Sequence, residues 1–379
     1  MKISVPKETH PGETRAALTP DGAGKLVKLG AQVEVEAGMG RGAGWGDAAY
    51  QSAGATLAPD RRALLSSADM VLRVRKPPVE EITLLKAGCV HVSLLDPFNE
   101  KDLIQKLAER SISAISMELV PRTTRAQKMD VLSSQANLAG YVAVVLAAHH
   151  ANKIFPMMMT AAGTILPAKV FIIGAGVAGL QAIATAKRLG AKVTAYDTRP
   201  VVEEQVKSLG GQFLKIDLGE TGQTKDGYAR ALTGEQIQKQ RDAMKKTCAD
   251  SDVVITAAQV FGRKAPILVT AEMLDAMKPG GVVVDLAIES GGNVEGAAFD
   301  QVIDRNGVKI VGLANLPGRV PLHASQVYSA NLTSLIEEFW DKPNKRFVLK
   351  LEDEIIKGCL VTHGGKIVNE KLAGTAKPS

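Results

Sequence analysis

The chain has 379 residues, of which 45% are hydrophobic and 23% charged, a composition typical of a globular protein with two domains rather than one. Its net charge of +6 comes from 46 basic and 40 acidic residues mixed along the chain, and aromatic residues make up only 4%. No basic block with interleaved aromatics supports nucleic-acid binding. We expect neither a signal peptide nor a bilayer span, because the longest apolar run, 140–148, is too short to cross a membrane.

The three cysteines, Cys89, Cys248 and Cys359, are far apart in the sequence and form no CxxC pair. This pattern indicates reduced thiols in a cytosolic compartment and argues against a structural zinc site. We therefore expect no metal.

The first 120 residues alternate between strand and helix patterns. Strands are predicted at Met1–Val5, Gln32–Glu36, Asp69–Val74, Cys89–Leu94 and Ser113–Ser116. The glycine-rich stretch 37–46 follows a strand, but Gly46 and Asp47 come next rather than a small-residue helix. We interpret this stretch as a loop and not as a phosphate site.

A polar segment at 121–141 is dense in groups that can meet a carboxamide, a ribose or a phosphate. These are Arg122, Arg125, Gln127, Asp130, Ser133, Ser134 and Gln135. Either arginine could pair with Asp130, and Ser133 or Ser134 could cap a long helix through Gln135–Asn152. The alternative interpretation is a solvated polar hairpin with a capped helix behind it.

Two groups after this helix start have plainer interpretations. Met157, Met158 and Met159 are predicted to pack adaptably beneath the strands that follow. His149 and His150 are adjacent on the predicted helix, where side chains point about 100° apart, so joint metal ligation is poor geometry.

The segment 169–199 carries the strongest functional signal of the chain. An apolar strand runs into Gly174-Ala-Gly176-Val-Ala-Gly179, a helix follows, and a second strand ends in Asp197. In a dinucleotide site the first glycine allows a tight turn, the second lets the backbone approach the pyrophosphate, and the third allows close helix packing. Asp197 can accept hydrogen bonds from the adenosine ribose, so the segment predicts a dinucleotide-binding fold.

The acid at the end of the second strand favours NAD(H) over NADP(H), because a carboxylate repels the 2′-phosphate of NADP. Arg199 could in principle serve such a phosphate, although Pro200 suggests that the strand has already ended. We therefore predict NAD(H) as the cofactor of this site.

The later strands predict a doubly wound parallel sheet with helices on both faces. They are expected at 170–173, 192–197, 212–216, 252–256, 281–287 and 308–313, with helices such as Val201–Leu209 and Glu235–Lys246 between them. The loop Leu218–Gly234 is long for such a connection and is either a lid, with Tyr228 folding onto a nucleotide, or a flexible insert.

A helix near Ala324–Trp340 is predicted to return the chain to the first domain, which FVLKL (347–351) and a hairpin around 363–365 complete. The fold class is therefore α/β, with two Rossmann-like domains. A discontinuous first domain (1–132 and 341–379) encloses an inserted NAD-binding domain (133–340). The cleft between two such domains is the default site.

Several segments together resemble one family, the soluble NAD(H)-binding component of proton-translocating nicotinamide nucleotide transhydrogenase. They are VPKE…GETRAALTP at the start, RAQKMDVLSSQANLAGY at 125–141, FPMMMTAAGT at 155–164, GAGVAGLQAIATAKRLGA at 174–191, KPGGVVVDLAIESGGN at 278–293 and VGLANLPGRVP at 311–321. The resemblance covers essentially the whole chain, and the 121–141 loop is its most specific element. The wider superfamily includes alanine dehydrogenase.

The resemblance implies a function for each segment. NADH bound here gives hydride to NADP⁺ held on a partner component, and a membrane component couples the transfer to proton movement. Arg122, Gln127, Asp130 and Ser133 would contact or orient the nicotinamide half. The remaining nucleotide contacts would come from Gly174, Gly176, Val177, Gly179, Asp197, Tyr228, Ala257 and Ala258.

The resemblance also implies where the chain works. It would be a separate subunit, a homodimer on the cytoplasmic face of the inner membrane, that docks on a membrane-spanning proton-translocating subunit and on the NADP(H)-binding component. Hydride transfer between two nicotinamide rings needs approach and orientation rather than an acid–base pair, which agrees with the lack of such a pair in the sequence.

Two alternatives remain open at this point. Alanine dehydrogenases use a lysine and a histidine near the substrate, and the matching positions here hold Arg75 and Asp96. Lys76 and His91 are offset by odd numbers of residues, so on extended strands they would face the other side. The second alternative is an NAD(H)-binding module without catalytic activity.

Overall fold

A computed structural model describes residues 1–219, 232–259 and 261–373. Its strands, numbered in chain order, are β1 (Lys2–Val5), β2 (Gln32–Glu36), β3 (Thr56–Ala58), β4 (Met70–Leu72), β5 (Val90–Ser93), β6 (Ser113–Ser116), β7 (Met158–Thr160), β8 (Gly163–Ile165), β9 (Lys169–Ile173), β10 (Lys192–Tyr196), β11 (Gln212–Phe213), β12 (Val253–Thr256), β13 (Val282–Asp285), β14 (Gln301–Arg305), β15 (Val308–Gly312), β16 (Trp340–Asp341), β17 (Arg346–Phe347), β18 (Leu360–His363) and β19 (Lys366–Ile367).

The α-helices follow the same numbering. They are α1 (Pro20–Lys28), α2 (Asp47–Ser52), α3 (Arg61–Ser66), α4 (Lys101–Glu109), α5 (Val131–His150), α6 (Val177–Arg188), α7 (Glu203–Ser208), α8 (Gly234–Asp250), α9 (Ala271–Asp275), α10 (Pro321–Glu338), α11 (Glu354–Cys359) and α12 (Glu370–Ala373).

The chain divides into two compact units. Unit 1 comprises Met1–Gln135 and Gly318–Ser379, and unit 2 comprises Ala136–Pro317. The predicted boundary at 340/341 placed α10 with the second domain, whereas the structure places this helix in unit 1. The reason lies in its buried polar face: the Tyr328 hydroxyl donates to the carbonyl of Arg73 at 2.8 Å.

Unit 1 is built on one mixed sheet, which eight of the described strands form in the order β19-β18-β6-β5-β4-β1-β2-β3. Strands β1 to β6 pair in parallel, and β18 joins β6 in antiparallel orientation. The five strands predicted in the first 120 residues are confirmed. Their apolar runs are buried on both faces, as is typical of parallel sheets.

Three predictions in unit 1 need correction or completion. The predicted hairpin at 363–365 is confirmed, because β18 and β19 pair through His363 and Lys366. The predicted strand at 347–351 is wrong in extent: only Arg346–Phe347 is a strand, and it pairs with β16 outside the main sheet. The glycine-rich stretch 37–46 is largely a loop, but contrary to expectation a helix, α2, begins directly after Gly46.

Unit 2 contains a seven-stranded sheet, counted over the described residues, in the order β11-β10-β9-β12-β13-β15-β14. All six strands predicted from the glycine fingerprint onward are present, and the doubly wound topology is confirmed. The sequence did not reveal β14, which pairs antiparallel with β15 at the sheet edge. The order of strands reverses between β9 and β12, and this switch point is where ligands bind in open α/β sheets.

The methionine run lies on the surface instead of beneath the sheet. Met158 and Met159 belong to β7, which pairs with β8 in a small antiparallel hairpin. Met157, Met158 and Met159 are 60%, 48% and 83% exposed. The prediction of buried packing is therefore wrong, and unit 2 displays an apolar hairpin.

Helix α5 starts earlier than the sequence suggested. Asp130, not Ser133 or Ser134, caps it, because the carboxylate of Asp130 accepts a hydrogen bond from the backbone N–H of Ser133 at 3.0 Å. In the described part of the chain α5 alone is long and apolar enough to cross a membrane by length and composition. It nevertheless packs on protein: a Cβ at Gly140 would lie 2.1 Å from the carbonyl oxygen of Ala178 in α6.

Candidate functional site

The glycine fingerprint forms the turn between β9 and α6 as predicted. Gly174 has φ +97°, which favours glycine, and a Cβ there would lie 2.9 Å from the backbone carbon of Ala257. A Cβ at Gly179 would lie 1.8 Å from the carbonyl oxygen of Gly174. These two glycines are therefore required by close backbone packing, one at the turn and one in the helix.

Gly176 has a different role from its two neighbours in the motif. It caps α6 with φ −77°, and the nearest atom to a Cβ there is Nη2 of Arg199 at 4.0 Å. Space around Gly176 is thus open, as backbone approach to a pyrophosphate requires. Val177, the first residue of α6, is exposed, and the first turn contains no acidic residue. The positive end of the helix dipole is therefore available to an anion.

Asp197 follows β10 and lies against the glycine loop. Its Oδ2 accepts a hydrogen bond from the backbone N–H of Ala175 at 2.8 Å. The side chain of Arg199 also binds it, with Nε 2.9 Å from Oδ1 and Nη2 2.8 Å from Oδ2. These hydrogen bonds raise the pKa of the Arg199 guanidinium. The sequence suggested both residues individually but not this bidentate pair.

Ala257 and Ala258 follow β12, on the other side of the switch point. The backbone N–H of Ala257 donates to the carbonyl of Ile173 at 2.8 Å, which brings this turn against Gly174. The Asn293 side chain supports the next residue: its Oδ1 accepts from the N–H of Ala258 at 3.1 Å, and its Nδ2 donates to the carbonyl of Ala258 at 2.9 Å. The two alanines thus present a backbone surface beside the glycine loop.

Asn293 is itself held by a buried carboxylate, Asp285, at the end of β13. The N–H of Asn293 donates to Asp285 at 2.8 Å, and the Thr256 hydroxyl donates to the same side chain at 3.1 Å. Burial raises the pKa of Asp285. Sequence analysis missed these positioning residues, because Asn293 lies far along the chain from the fingerprint and no local motif marks it.

The predicted polar loop belongs to unit 1, and two of its residues are in direct contact. The Ser133 hydroxyl donates to Oδ2 of Asp130 at 2.6 Å. The side chain of Gln127 is exposed, and so is that of Arg122. Among the described residues, none forms a hydrogen bond with the side-chain amide of Gln127.

Other members of the loop have structural partners. Arg125 binds Asp353 and lies 3.9 Å from Glu338, so the suggested Arg125–Asp130 pair is wrong. Gln135 is buried, accepts from Arg15 at 2.8 Å and donates to the carbonyl of Ala324 at 3.1 Å. These contacts anchor the loop and leave Gln127 at its surface.

Asn331 in α10 is a second anchor that the sequence did not indicate. Its Nδ2 donates to the carbonyl of Lys128 at 2.9 Å, and its Oδ1 accepts from the Ser134 hydroxyl at 2.7 Å. Tyr228, predicted to contact the nucleotide, lies outside the described residues, as does most of the loop Leu218–Gly234.

The positions that correspond to the catalytic lysine and histidine of alanine dehydrogenases have other structural roles. Arg75 binds Glu13 with its Nε 2.9 Å from Oε2, and Lys76 pairs with Glu100. Asp96 adopts a left-handed φ of +51°, and its N–H donates to Glu118 at 2.8 Å.

His91 cannot replace the missing base. It is completely buried in the sheet, and burial together with the nearby positive charge of Arg73 lowers its pKa to about 3. A histidine that stays neutral and away from solvent does not exchange protons with a substrate at neutral pH.

Unit 2 therefore fits NAD(H). It combines an open glycine cradle at a helix N-terminus, a carboxylate at the end of the second strand, and a backbone surface across the switch point. The carboxylate suits the two hydroxyls of an adenosine ribose, whereas it would repel a 2′-phosphate.

Known proteins match the chain over nearly its whole length. Family models for the alanine dehydrogenase/PNT N-terminal and C-terminal domains match residues 4–139 and 143–370. The first of two chains that make up NAD(P) transhydrogenase subunit alpha in Rhodospirillum rubrum is 46% identical over 99% of both sequences. A transhydrogenase structure from Sinorhizobium meliloti has a TM-score of 0.88 and 46% identity, covering 97% of this chain and 100% of that one.

The alanine dehydrogenase of Halomonas elongata is also similar, with 32% identity over 98% of this chain and 96% of its own. The higher identity to transhydrogenase agrees with the substituted lysine and histidine positions. With both family domains matched in order, the chain belongs to the alanine dehydrogenase/PNT family.

Proposed function

We propose that this chain is the NAD(H)-binding subunit of a proton-translocating NAD(P)⁺ transhydrogenase. The observation that carries the proposal is the glycine cradle joined to Asp197 in a chain whose alanine dehydrogenase positions hold Arg75 and Asp96. Such a chain has a site for a dinucleotide but lacks the lysine and histidine that an amino-acid substrate needs. A second nucleotide on a partner component is then the acceptor of the hydride.

The residues of unit 2 hold the nucleotide by its adenosine and pyrophosphate half. Gly174, Gly176, Val177 and Gly179 shape the helix N-terminus, and Asp197 accepts from the ribose. Ala257 and Ala258 supply a smooth backbone surface that Asn293 fixes in place. Bound NADH supplies the hydride that leaves the site, and the protein's task is to fix its position.

The loop residues of unit 1 orient the nicotinamide in this proposal. Gln127 offers an amide to the carboxamide group, and Arg122 adds a positive charge nearby. Asp130 and Ser133 act as one unit, since the carboxylate accepts both the hydroxyl and the backbone N–H of Ser133. Orientation of this kind accelerates hydride transfer without any proton transfer by the protein.

The proposal includes two partner components and a location. NADP(H) binds to a separate component, and a membrane-spanning subunit couples hydride transfer to proton translocation. The chain is then peripheral, on the cytoplasmic face of the inner membrane. The name of the Rhodospirillum rubrum relative, which describes one portion of a divided subunit alpha, supports an assembly of several chains.

Reconstitution tests this function directly. The purified chain is mixed with the membrane subunit and the NADP(H)-binding component of a bacterial transhydrogenase, and NADH is supplied with an NADP⁺ analogue of distinct absorbance. We expect hydride transfer in the mixture and none with the chain or its partners alone. Oxidation of NADH that depends on pyruvate and ammonia would instead establish the alanine dehydrogenase activity.

The exposed apolar hairpin supports a homodimer. An apolar surface of this kind on a folded chain marks an interface, and paired strand edges are a common way to bury it. We propose that β7 and β8, with Met159 and the 66%-exposed Leu166 next to them, meet a second copy of the chain.

Sedimentation of matched variants tests the dimer. Changing Met159 and Leu166 together to serine is expected to raise the dimer dissociation constant by at least about tenfold, because several exposed apolar groups leave the interface. Phe299→Ser is the control, since this side chain is also in unit 2 and 63% exposed but lies outside the hairpin. A dimer unaffected by the double change, or disrupted equally by the control, would show that the interface lies elsewhere.

A further inference from the structure

The carboxylate of Asp197 is fully engaged by protein donors. Oδ1 accepts from the backbone N–H of Arg199 at 2.9 Å and from its Nε at 2.9 Å. Oδ2 accepts from the N–H of Ala175 at 2.8 Å and from Nη2 of Arg199 at 2.8 Å. A carboxylate has about four acceptor positions in total. Two backbone N–H groups and one guanidinium fill them.

This arrangement conflicts with the role of Asp197 in the proposed function. A ribose needs acceptor positions on this carboxylate for its hydroxyl groups. The two backbone donors belong to the fixed turn and to the glycine loop, so they stay in place. The guanidinium is held by a flexible side chain, and its two positions are the ones that can be released.

The guanidinium also lies where the nucleotide must pass. Nη2 of Arg199 is 4.0 Å from the point at which a Cβ on Gly176 would stand. Gly176 is the residue that lets the backbone approach a pyrophosphate, so Arg199 spans the space between the ribose carboxylate and the phosphate cradle. The side chains of Arg199 and Asp197 are only 16% and 7% exposed, so solvent screens their attraction weakly.

We propose that Arg199 is a specificity-determining residue that competes with the adenosine ribose for Asp197. Binding of NAD(H) displaces the guanidinium from the carboxylate, and the two ribose hydroxyls take the positions it leaves. The displaced cation stays beside the 2′ position, where it weakens the repulsion between Asp197 and a 2′-phosphate. Arg199 therefore lowers affinity for NAD(H) and narrows the discrimination against NADP(H).

This inference rests on the proposed function, because it assumes that the glycine cradle binds NAD(H). A ligand that must displace a paired state binds more weakly by the fraction of time for which the site is free. If the Arg199 pair is closed about nine-tenths of the time, its removal strengthens NAD(H) binding by about tenfold.

Calorimetric titration of the full chain with NADH and with NADPH tests the competition. Arg199→Met keeps the length of the side chain and removes its donors and charge. We expect NADH to bind about three- to tenfold more tightly to this variant and NADPH at least about tenfold more weakly. Arg199→Lys keeps the charge but not the bidentate geometry, and should bind NADPH more tightly than Arg199→Met does.

A double-mutant cycle with Asp197→Asn separates competition from other effects. The tighter NADH binding of Arg199→Met should disappear in the Asp197→Asn background, because the neutral amide no longer holds the guanidinium. NADH binding that is unchanged or weaker in Arg199→Met, or a gain that persists beside Asp197→Asn, would overturn the inference. Failure of the unsubstituted chain to bind NADH would instead refute the proposed function.

Discussion

Gly179→Ala is expected to lower the stability of unit 2 by about 3 kcal/mol and to weaken NADH binding by more than about tenfold. The added Cβ would lie 1.8 Å from the carbonyl oxygen of Gly174, far inside contact distance. Both atoms belong to backbone, so neither can rotate away, and overpacking of this kind typically costs about 1–3 kcal/mol or more. The N-terminus of α6 must shift from β9, which moves its N–H groups away from the pyrophosphate. Thermal unfolding by circular dichroism and calorimetric titration measure the two effects.

Two other glycines serve as matched controls. Gly176→Ala meets only Nη2 of Arg199 at 4.0 Å, so its stability should change by less than about 1 kcal/mol while NADH affinity falls more than about tenfold. Gly46→Ala, in the glycine-rich loop of unit 1, has nothing within 4 Å and should change neither property. A stable Gly179→Ala chain that binds NADH normally would contradict the close packing of α6 on the glycine loop.

The fold could be predicted where burial and local chemistry agree. Strands such as β9 and β13 are short apolar runs buried on both faces, and the glycines between β9 and α6 have steric reasons that a motif expresses locally. The same holds for Asp197, whose place depends only on the end of a strand. These features need no knowledge of distant residues, so the sequence could indicate them.

The features that were missed depend on distant or competing groups. β14 alternates exposed and half-buried residues at a sheet edge, so it lacks the continuous apolar pattern of its neighbours. Asp130 and Ser133 are both good helix caps, and the buried Val131 decides between them by extending α5. Asn293 reaches Ala258 only through tertiary folding. The supporting residues of the site were therefore less predictable than the residues that face the ligand.

Gln127→Ala is expected to slow hydride transfer by about 100-fold while changing the dissociation constant of NADH by less than about threefold. Orientation of a bound reactant acts mainly on rate, and a misplacement of about 1 Å can cost this much. The change should leave stability intact, because the side chain is exposed and, among the described residues, no group forms a hydrogen bond with its amide. Stopped-flow absorbance in the reconstituted mixture gives the rate, and calorimetry gives the affinity.

The neighbouring Lys128→Ala distinguishes orientation from a general disturbance of the loop. Lys128 is also exposed, and its amino group pairs with Glu338 at 2.9 Å, an exposed ion pair worth about 0–1 kcal/mol. If the loop acts through its position alone, both changes should slow transfer to a similar, small extent. If the amide of Gln127 holds the nicotinamide, only its removal reduces the rate. A loss confined to NADH affinity would place Gln127 in binding rather than in orientation, and the proposal for the whole loop would then need revision.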